Sequence, residues 1–447
     1  MRIGLLGFGT VGKGVYEIIS SREDMTVAKV LCRRDLELSD AVVTHDFANI
    51  LEDETIDTVV EAIGGLHPAY EYVRSAILAG KNVATANKAL IATYYDDLIP
   101  LAQERGVLLR CTASVGGGIG WLSELERAGR IEKIHHVGGI MNGTCNYILD
   151  SMTRLGLGYS EALKQAQALG YAEADPTTDV EGIDTWHKLI VSANIGFGVS
   201  LDTSHIPAAG ISRIKAEDVA NFSANGLQCK LVSTADCRGG SYCAFVQPTL
   251  YPLGQPEAAV PANYNLITLE GNVSGRQSFF GQGAGRYPTA YNVVQDCVDF
   301  TLGKGFYRGY GQKVPVDNSV KMRYYVRGTE DAWLKEHRRA HWGAAVVTEE
   351  VSVEEMHRWL KEHEEAFIAA FVEERRISYE SSQIRRLLHG GRGPVPKGPG
   401  YTAGGSGAAG GHRLRCRQAE QAGPQDHGPA VSVLRPHPVR CGLLRRL

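Results

Sequence analysis

The chain has 447 residues, enough for two or three domains, and its composition of 43% hydrophobic and 22% charged residues is ordinary for a soluble globular protein. The formal net charge of -3 gives no electrostatic reason to expect a nucleic acid or an acidic membrane surface as a partner. The 9 cysteines form no CxxC pair, which favours reduced thiols in the cytoplasm over a disulfide framework or a zinc site. No stretch is apolar for long enough to span a membrane, and the N-terminus lacks the features of a signal peptide.

The chain opens with a glycine-rich turn between a predicted strand and a predicted helix. The apolar segment Arg2–Phe8 runs into the pattern G-x-G-x-x-G, which consists of Gly7, Phe8, Gly9, Thr10, Val11 and Gly12. In this context the first glycine permits a tight turn, the second lets a pyrophosphate approach the backbone, and the third lets helix and strand pack closely. The pattern predicts dinucleotide binding with the phosphates over the helix N-terminus. A glycine-rich turn in an unrelated α/β domain is the alternative.

The residues after the second predicted strand, Thr26–Leu31, indicate which nicotinamide cofactor binds. NAD enzymes usually place an acidic residue there for the ribose hydroxyls, whereas this chain places Arg33 and Arg34 there. Arginine pairs well with phosphate, so the sequence favours the 2′-phosphate of NADP. Asp35 keeps NAD compatible with the sequence, and two solvated arginines without a binding role are the remaining interpretation.

Predicted strands and helices alternate behind the glycine motif. The strand-like segments are Thr58–Ala62, Asn82–Thr85 and Val107–Arg110, with an amphipathic helix at Tyr70–Leu78. The alternation predicts an α/β fold with a Rossmann-type doubly wound parallel sheet over residues 1–120, completed by a late helix within about 286–318. The ligand crevice of such a sheet lies at the carboxyl ends of its strands. Lys88 falls there and is a site candidate, with a surface lysine that starts the next helix as the alternative.

An acidic segment carries the most unusual charge pattern of the chain. Less than twenty residues contain one lysine, Lys188, and the acids Glu173, Asp175, Asp179, Glu181 and Asp184. Asp184 and Lys188 are four apart, so they share one face of a helix. The apolar run 189–191 follows directly, so this helix is predicted to be largely buried. A buried lysine with acidic neighbours can donate or accept a proton, whereas a solvated face with an ordinary ion pair is the alternative.

The remaining sequence predicts two further parts and a tail. Residues 121–285 combine helices with several strands and are predicted to form an inserted mixed α/β domain. Residues 322–377 are predicted to form a small α/β unit. Residues 388–447 lack periodicity and are rich in arginine, glycine and proline, which is typical of a disordered basic tail.

Several motifs together resemble the homoserine dehydrogenase family, over about residues 1–320. The matching segments are the N-terminal glycine motif, Thr85–Leu90, Ser114–Ile119, Asn142–Thr144 with Asn146–Ile148, Gly170–Pro176 with Asp179, Asp184 and Lys188, and Gly283–Gly285 with Pro288–Ala290. The acidic segment is the most specific of these, because its spacing is not shared by dehydrogenases at large. The family interconverts L-aspartate 4-semialdehyde and L-homoserine with NADPH or NADH, on the path to threonine and methionine.

The resemblance implies a role for each matching residue. Lys188 is similar to the family's general acid/base lysine, and Lys88 to a second lysine between nicotinamide and substrate. Glu173 and Asp184 match the carboxylates that hold the substrate's amino group, while Asp179 is expected to orient Lys188 or a water. Further residues implied to lie along the cofactor are Gly170, Gly283 and Gly285. The resemblance also implies a homodimer or dimer-based oligomer whose interface lies in residues 121–285.

The sequence departs from the family pattern at several positions. Family members bind a monovalent cation through a glutamate, where this chain has Thr112, and through carbonyls. The carbonyls left for a sodium or potassium ion are those of Val115, Gly117 and Ile119. Gly120 replaces a usual proline and Cys145 a usual threonine. Residues 322–377 take the place of the family's ACT regulatory domain but lack a clear glycine-containing ligand turn, so a degenerate ACT-like unit is expected.

Two other functions remain compatible with these motifs. One is a different NADP-dependent reductase of a small amino-acid aldehyde, and the other is a non-catalytic dinucleotide-binding sensor. A sensor need not keep Lys88, Lys188 and their acidic neighbours. Their presence favours the active enzyme.

Overall fold

The computed structural model of this chain describes residues 1–304 and 311–372. Its strands are β1 (Arg2–Leu6), β2 (Thr26–Leu31), β3 (Val42–Thr44), β4 (Thr58–Glu61), β5 (Asn82–Thr85), β6 (Leu109–Arg110), β7 (Ile134–Ile140), β8 (Ser200–Leu201), β9 (Leu227–Arg238), β10 (Ser241–Pro252), β11 (Tyr264–Gly271), β12 (Gly275–Gln282), β13 (Lys313–Val314), β14 (Lys321–Met322), β15 (Tyr324–Arg327), β16 (Arg338–Trp342), β17 (Ala345–Thr348), β18 (Val351–Ser352) and β19 (Phe367–Phe371). The predicted tail at 388–447 and the last residues of the predicted unit at 322–377 lie outside the described residues.

The helices separate and cover these strands. They are α1 (Thr10–Ser20), α2 (Ala48–Leu51), α3 (Ala69–Leu78), α4 (Lys88–Arg105), α5 (Trp121–Gly129), α6 (Gly143–Leu155), α7 (Tyr159–Ala168), α8 (Thr177–Val180), α9 (Ile183–Phe197), α10 (Ala216–Ala224), α11 (Arg286–Thr301), α12 (Ala332–Glu336) and α13 (Val353–Glu362). No helix within residues 1–304 and 311–372 is both long enough and apolar enough to cross a bilayer.

The first sheet is parallel and has the strand order β3-β2-β1-β4-β5-β6. This is the order of a Rossmann sheet, whose ligand crevice lies where the order reverses between β1 and β4. Helices cover the sheet, so the buried strands are apolar on both faces, as Val59 and Val60 show. The predicted α/β fold class with a Rossmann-type doubly wound sheet is confirmed.

Helix α11 comes late in the sequence but packs on α1 of this first layer. Ala290, Val293 and Cys297 of α11 are fully buried in one core with Ile3 and Leu5 of β1. The chain therefore leaves the parallel sheet after β6 and returns to it after more than 150 residues.

The second sheet has nine strands in the order β12-β11-β7-β9-β10-β19-β15-β17-β16. Strands β9 and β10 form a long antiparallel hairpin, and α6 and α9 pack on the part of the sheet that contains β7 and β9. One pairing in this sheet is parallel: Thr249 and Leu250 of β10 lie beside Ala370 and Phe371 of β19. Strands β15, β16, β17 and β19 therefore continue the sheet that supports α9.

Lys230, on β9, is a buried cation that the sequence analysis did not single out. Its side chain is 0% exposed, and its ammonium donates to Oδ1 of Asn146 at 2.8 Å and to the carbonyl of Val260 at 2.7 Å. No carboxylate among the described residues lies within ion-pair distance of it. Burial lowers the pKa of Lys230 to about 8, with partial opposition from the charge of Asp150.

Lys230→Met should change how stability depends on pH. Because the folded-state pKa is depressed to about 8 from the ordinary 10.5, the unfolded chain binds more protons than the folded chain between these values. The free energy of unfolding of the native protein should therefore rise across this window by about 2–3 kcal/mol, and this contribution should vanish in the variant. Urea unfolding from pH 7.5 to 10.5 measures the difference, with the exposed Lys164→Met as the control. Parallel curves for native and Lys230→Met proteins would contradict the expectation.

Candidate active site

Helix α9 carries the predicted acid–base pair and begins at a glycine. Gly182 precedes the helix with φ of 80°, and Gly198 ends it with φ of 68°, conformations that favour glycine. Asp184 lies in the first turn, and Lys188 follows one turn later on the same side. The helix is buried along most of its length, so Asp184 is only 6% and Lys188 only 8% exposed. The prediction of a buried lysine on a largely buried helix therefore agrees with the described structure.

The ammonium of Lys188 has two acceptors inside the protein. It donates to Oδ2 of Asp184 at 2.7 Å and to the carbonyl of Met141 at 2.7 Å. Met141 directly follows β7, so the end of a strand and the start of a helix together fix the position of Nζ. An ammonium has three N–H groups, and two of them are accounted for by these contacts.

Asn142, in one of the segments that carry the family resemblance, has two structural roles. Its Oδ1 accepts from the amide of Cys145 at 2.8 Å, which caps α6. Its Nδ2 donates to Oδ1 of Asp179 and to Oδ2 of Asp184, each at 2.8 Å. The same side chain therefore starts a helix and joins the two carboxylates. The sequence signal was present in Asn-Gly-Thr before an apolar helix, but the partners of Nδ2 are 37 and 42 residues away.

Lys88 reaches the site from the parallel sheet. It is the first residue of α4, which the side chain of Asn87 caps after β5 ends. Its Nζ lies 3.2 Å from Oδ1 of Asp184, and its side chain is 35% exposed. Each carboxylate oxygen of Asp184 therefore faces a different lysine. Lys188 comes from α9, which packs on the second sheet, and Lys88 comes from α4, which follows β5 of the parallel sheet. The Lys88 side of this pair is the one open to solvent.

Burial and charge in this cluster shift the pKa values of its two carboxyl groups in opposite directions. Burial favours the neutral form of Asp184, but Lys188 and Lys88 outweigh it and hold the pKa of that carboxyl well below its usual range. Burial raises the pKa of Asp179, and the negative charge of Asp184 raises it further. Burial also raises the pKa of the Cys145 thiol well above its usual value, so this thiol next to Asp179 stays protonated near neutral pH.

Glu173 and Gly170 lie in the exposed loop between α7 and α8. Gly170 adopts φ of 75° just after α7, where it ends the helix. Glu173 is exposed, and no hydrogen bond or ion pair within the described ranges joins its carboxylate to Lys88 or Lys188. The structure therefore brings Asp179, Asp184, Lys88 and Lys188 together, and it leaves Glu173 outside this group of contacts.

The N-terminal glycine turn fits a dinucleotide. A Cβ on Gly12 would collide with the carbonyl oxygen of Gly7, so helix and strand approach as the motif predicts. A Cβ on Gly9 would meet no heavy atom within 4 Å, which leaves the space in front of the turn open. No side chain caps α1, so its first amides are available to a phosphate. Thr10 and Val11 form the first turn of that helix.

Two exposed arginines stand beside this turn. Nη2 of Arg34 lies 3.3 Å from the carbonyl of Phe8, and Arg33 is exposed next to it at the end of β2. Nε2 of His45 lies 2.9 Å from Oδ1 of Asp35. Asp35, the acidic residue that would suit the ribose hydroxyls of NAD, therefore already has a partner in the protein. The arrangement places positive charge at the edge of the open turn.

The late glycine turn lies against the loop that follows β6. A Cβ on Gly117 would lie 2.5 Å from the carbonyl carbon of Gly283, so neither backbone leaves room for a side chain here. Gly285 precedes α11 with φ of 128°. The amide of Asn265 is fully buried beside Gly283 and has no partner among the described residues. Within the same residues no cluster of three His, Cys, Asp or Glu side chains is arranged to hold a metal ion.

Comparisons with known proteins agree with this arrangement. The family model described as homoserine dehydrogenase matches residues 121–298, and the one described as the NAD-binding domain of homoserine dehydrogenase matches residues 7–111. Homoserine dehydrogenase of Bacillus subtilis strain 168 is 39% identical over 312 residues, which are 67% of this chain and 72% of the relative.

Solved structures show the same likeness. A homoserine dehydrogenase from Thiobacillus denitrificans has a TM-score of 0.73 at 30% identity, over 83% of this chain and 98% of that chain. A homoserine dehydrogenase from S. aureus has a TM-score of 0.67 at 28% identity, over the same shares of the two chains. With a Rossmann sheet, a buried lysine–aspartate pair at its edge and these relatives, the chain belongs to the homoserine dehydrogenase family, oxidoreductases that act on a CH–OH group.

Proposed function

We propose that this site interconverts L-aspartate 4-semialdehyde and L-homoserine, with Lys188 as the proton donor and acceptor. The observation that carries the proposal is the buried carboxylate of Asp184, held between Nζ of Lys188 at 2.7 Å and Nζ of Lys88 at 3.2 Å. When bound, the reduced nicotinamide cofactor supplies the hydride that the aldehyde carbon takes up. The aldehyde oxygen then becomes an alkoxide, which needs a proton and a positive field.

Lys188 is suited to that proton transfer. Met141 and Asp184 fix its ammonium, so its third N–H can point to a substrate oxygen without loss of the other two contacts. Lys88 adds a second positive charge on the solvent-open side of Asp184. In the oxidation direction the neutral amine of Lys188 takes the proton of the hydroxyl group, and Asp184 stabilises the ammonium that forms.

The carboxylates are assigned to the substrate's amino group. An ammonium needs negative charge in a partly buried site, and Asp184 with Asp179 provides two carboxylates joined by Asn142. We assign Glu173 to the substrate's amino group as well, because it lies on the exposed acidic loop. These roles rest on the charge pattern of the segment and on the family resemblance.

The cofactor is proposed to lie along the glycine turn and the late turn. Residues 7–12 would hold the pyrophosphate, and Gly170, Gly283, Gly285 and Lys88 would line the nicotinamide end. We infer a preference for NADP, because Arg33 and the Arg34 guanidinium stand at the open turn where an added phosphate would need positive charge. NAD remains a second cofactor of the same site.

Arg33→Ala should separate the two cofactors. Loss of a charge-assisted hydrogen bond to a 2′-phosphate costs about 1.5–3 kcal/mol, so KM for NADPH should rise by about 10- to 100-fold while KM for NADH changes little. Steady-state kinetics with both cofactors measures this ratio, and Arg34→Ala shows which arginine contributes more. The exposed Arg130→Ala is the matched control. Equal effects on the KM values for NADPH and NADH would show that Arg33 does not discriminate between the two cofactors.

The reaction itself is tested by NADPH oxidation with L-aspartate 4-semialdehyde as substrate, repeated with NADH. We expect turnover with this aldehyde and much weaker turnover with aldehydes that lack the amino group. Bound NADPH without turnover would favour the non-catalytic sensor. Equal turnover of the aldehydes without the amino group would favour a broader reductase.

We also propose a cellular location, an oligomeric state and a domain organisation for this protein. We infer a cytoplasmic enzyme, since the seven cysteines of the described residues are all free thiols. A homodimer or dimer-based oligomer is proposed from the family resemblance, with a dinucleotide-binding part at 1–120, a catalytic and dimerisation part at 121–285 and an ACT-like unit at 322–377. Light scattering of the purified protein tests the dimer.

A further inference from the structure

The loop after β6 is the place where the family resemblance implies a monovalent cation. Three carbonyls are expected to face it, from Val115, Gly117 and Ile119. A cation held by carbonyls needs their lone pairs, and it repels N–H donors. The partners of these oxygens therefore decide whether the loop fits an ion.

Asn292 of α11 already binds two of these three carbonyls. Its Nδ2 donates to the carbonyl of Gly117 at 2.5 Å and to that of Ile119 at 3.2 Å. The Ile119 oxygen also accepts the amide of Trp121 at 2.7 Å, so both of its lone pairs are used. Asn292 is 2% exposed, which leaves its amide no alternative partner in water.

The charge expected of a cation ligand is also absent from the loop. Thr112 is neutral, and its amide donates to Oδ2 of Asp296 at 2.9 Å. Oδ1 of the same carboxylate accepts from Nε of Arg110 at 3.1 Å, and both side chains are 1% exposed. Asp296 follows Asn292 by one helical turn, so one face of α11 presents both groups to the loop.

We propose that α11 replaces the monovalent cation in this protein. The amide of Asn292 binds two of the three carbonyls that an ion would bind, and the nearby carboxylate of Asp296 is already paired with the buried guanidinium of Arg110. The residues therefore do not fit a sodium or potassium ion, and neither ion binds this loop or supports the reaction.

The first test uses the native protein. Thermal unfolding and kcat/KM are measured in NaCl, in KCl and in choline chloride at equal ionic strength. We expect the three midpoints to agree within about 1 °C and the three rates to agree, because no ion enters the loop. A midpoint or a rate that rises in NaCl or KCl alone would overturn the proposal.

The second test reverses the chemistry of one side chain. Asn292→Asp keeps the shape but turns two oxygens toward the two carbonyls, and Asp296 adds further repulsion. At pH 8 its midpoint in choline chloride should fall by at least about 4 °C, and NaCl or KCl should recover part of that loss, because the variant now offers a carboxylate with two carbonyls to a cation. A variant as stable as the native protein in choline chloride would show that the amide does not hold the loop.

Asn318→Asp is the matched control for this variant. Asn318 is a buried asparagine whose Nδ2 donates to the carbonyl of His205 at 2.8 Å, far along the chain from the loop. This control should lose stability equally in all three salts. Recovery of Asn318→Asp by sodium or potassium to the same extent would assign the effect to the salt in general and overturn the proposal.

Discussion

Lys188→Ala should lower kcat by about 10²- to 10⁴-fold, the range that a positioned proton donor contributes. Cofactor binding should change little, because Lys188 contacts Asp184 and Met141 rather than the glycine turn. Stopped-flow kinetics gives the rate of the chemical step, and quenching of protein fluorescence by NADPH gives the affinity.

Two outcomes would contradict the assigned role of Lys188. Unchanged turnover would remove it from the reaction. An equal loss of NADPH affinity would indicate that the variant is misfolded around α9. Lys164→Ala, an exposed lysine on α7, is the matched control and should keep full activity.

Asp184→Asn should impair both activity and folding. The neutral amide cannot neutralise two lysines, and its own N–H groups would face the donors of Lys188 or Asn142. Removal of one partner of a buried ion pair costs about 3–5 kcal/mol of stability. We also expect kcat to fall by about 10²-fold or more, because Lys188 loses the acceptor that positions it.

Stability and kinetics are measured on the same Asp184→Asn preparation. Glu161→Gln neutralises an exposed carboxylate on α7 and should leave both quantities unchanged. Asp179 provides an internal check: its pKa is raised first by burial and then by the charge of Asp184, so it should fall in the variant. A variant with native stability would show that the lysines are neutralised by other groups.

Local patterns were sufficient to predict most of the side chains that the structure brings together in the candidate site. The spacing of Asp184 and Lys188 on an apolar helix predicts their shared face, and the glycine pattern after β1 predicts the turn. Both depend on neighbours within a few residues, where the period of the helix or the geometry of the turn determines the contact. The position of Lys88 followed from the rule that ligands bind at the carboxyl ends of parallel strands.

Contacts between distant segments could not be predicted in this way. The bond from Asn142 to Asp184 spans 42 residues, and that from Asn292 to Gly117 spans 175. No local period marks either partner, because an asparagine that caps a helix is identical in sequence to one that joins two carboxylates. Glu173 shows the converse limit of a local pattern, since the acidic motif groups it in sequence with Asp179 and Asp184, whereas the structure places it on an exposed loop outside their contacts.

The pairing of β10 with β19 has a consequence for shortened forms of the chain. Strand β10 has 12 residues, and β9 covers only one of its edges. The other edge is protected by β19 at two positions, by a bridge from Ala208 and by the side chain of Asn318. An unprotected edge of this length invites strand addition from a second molecule. Truncation before Phe367 should therefore yield a protein prone to aggregate, even though the truncated chain keeps Lys88, Asp184 and Lys188.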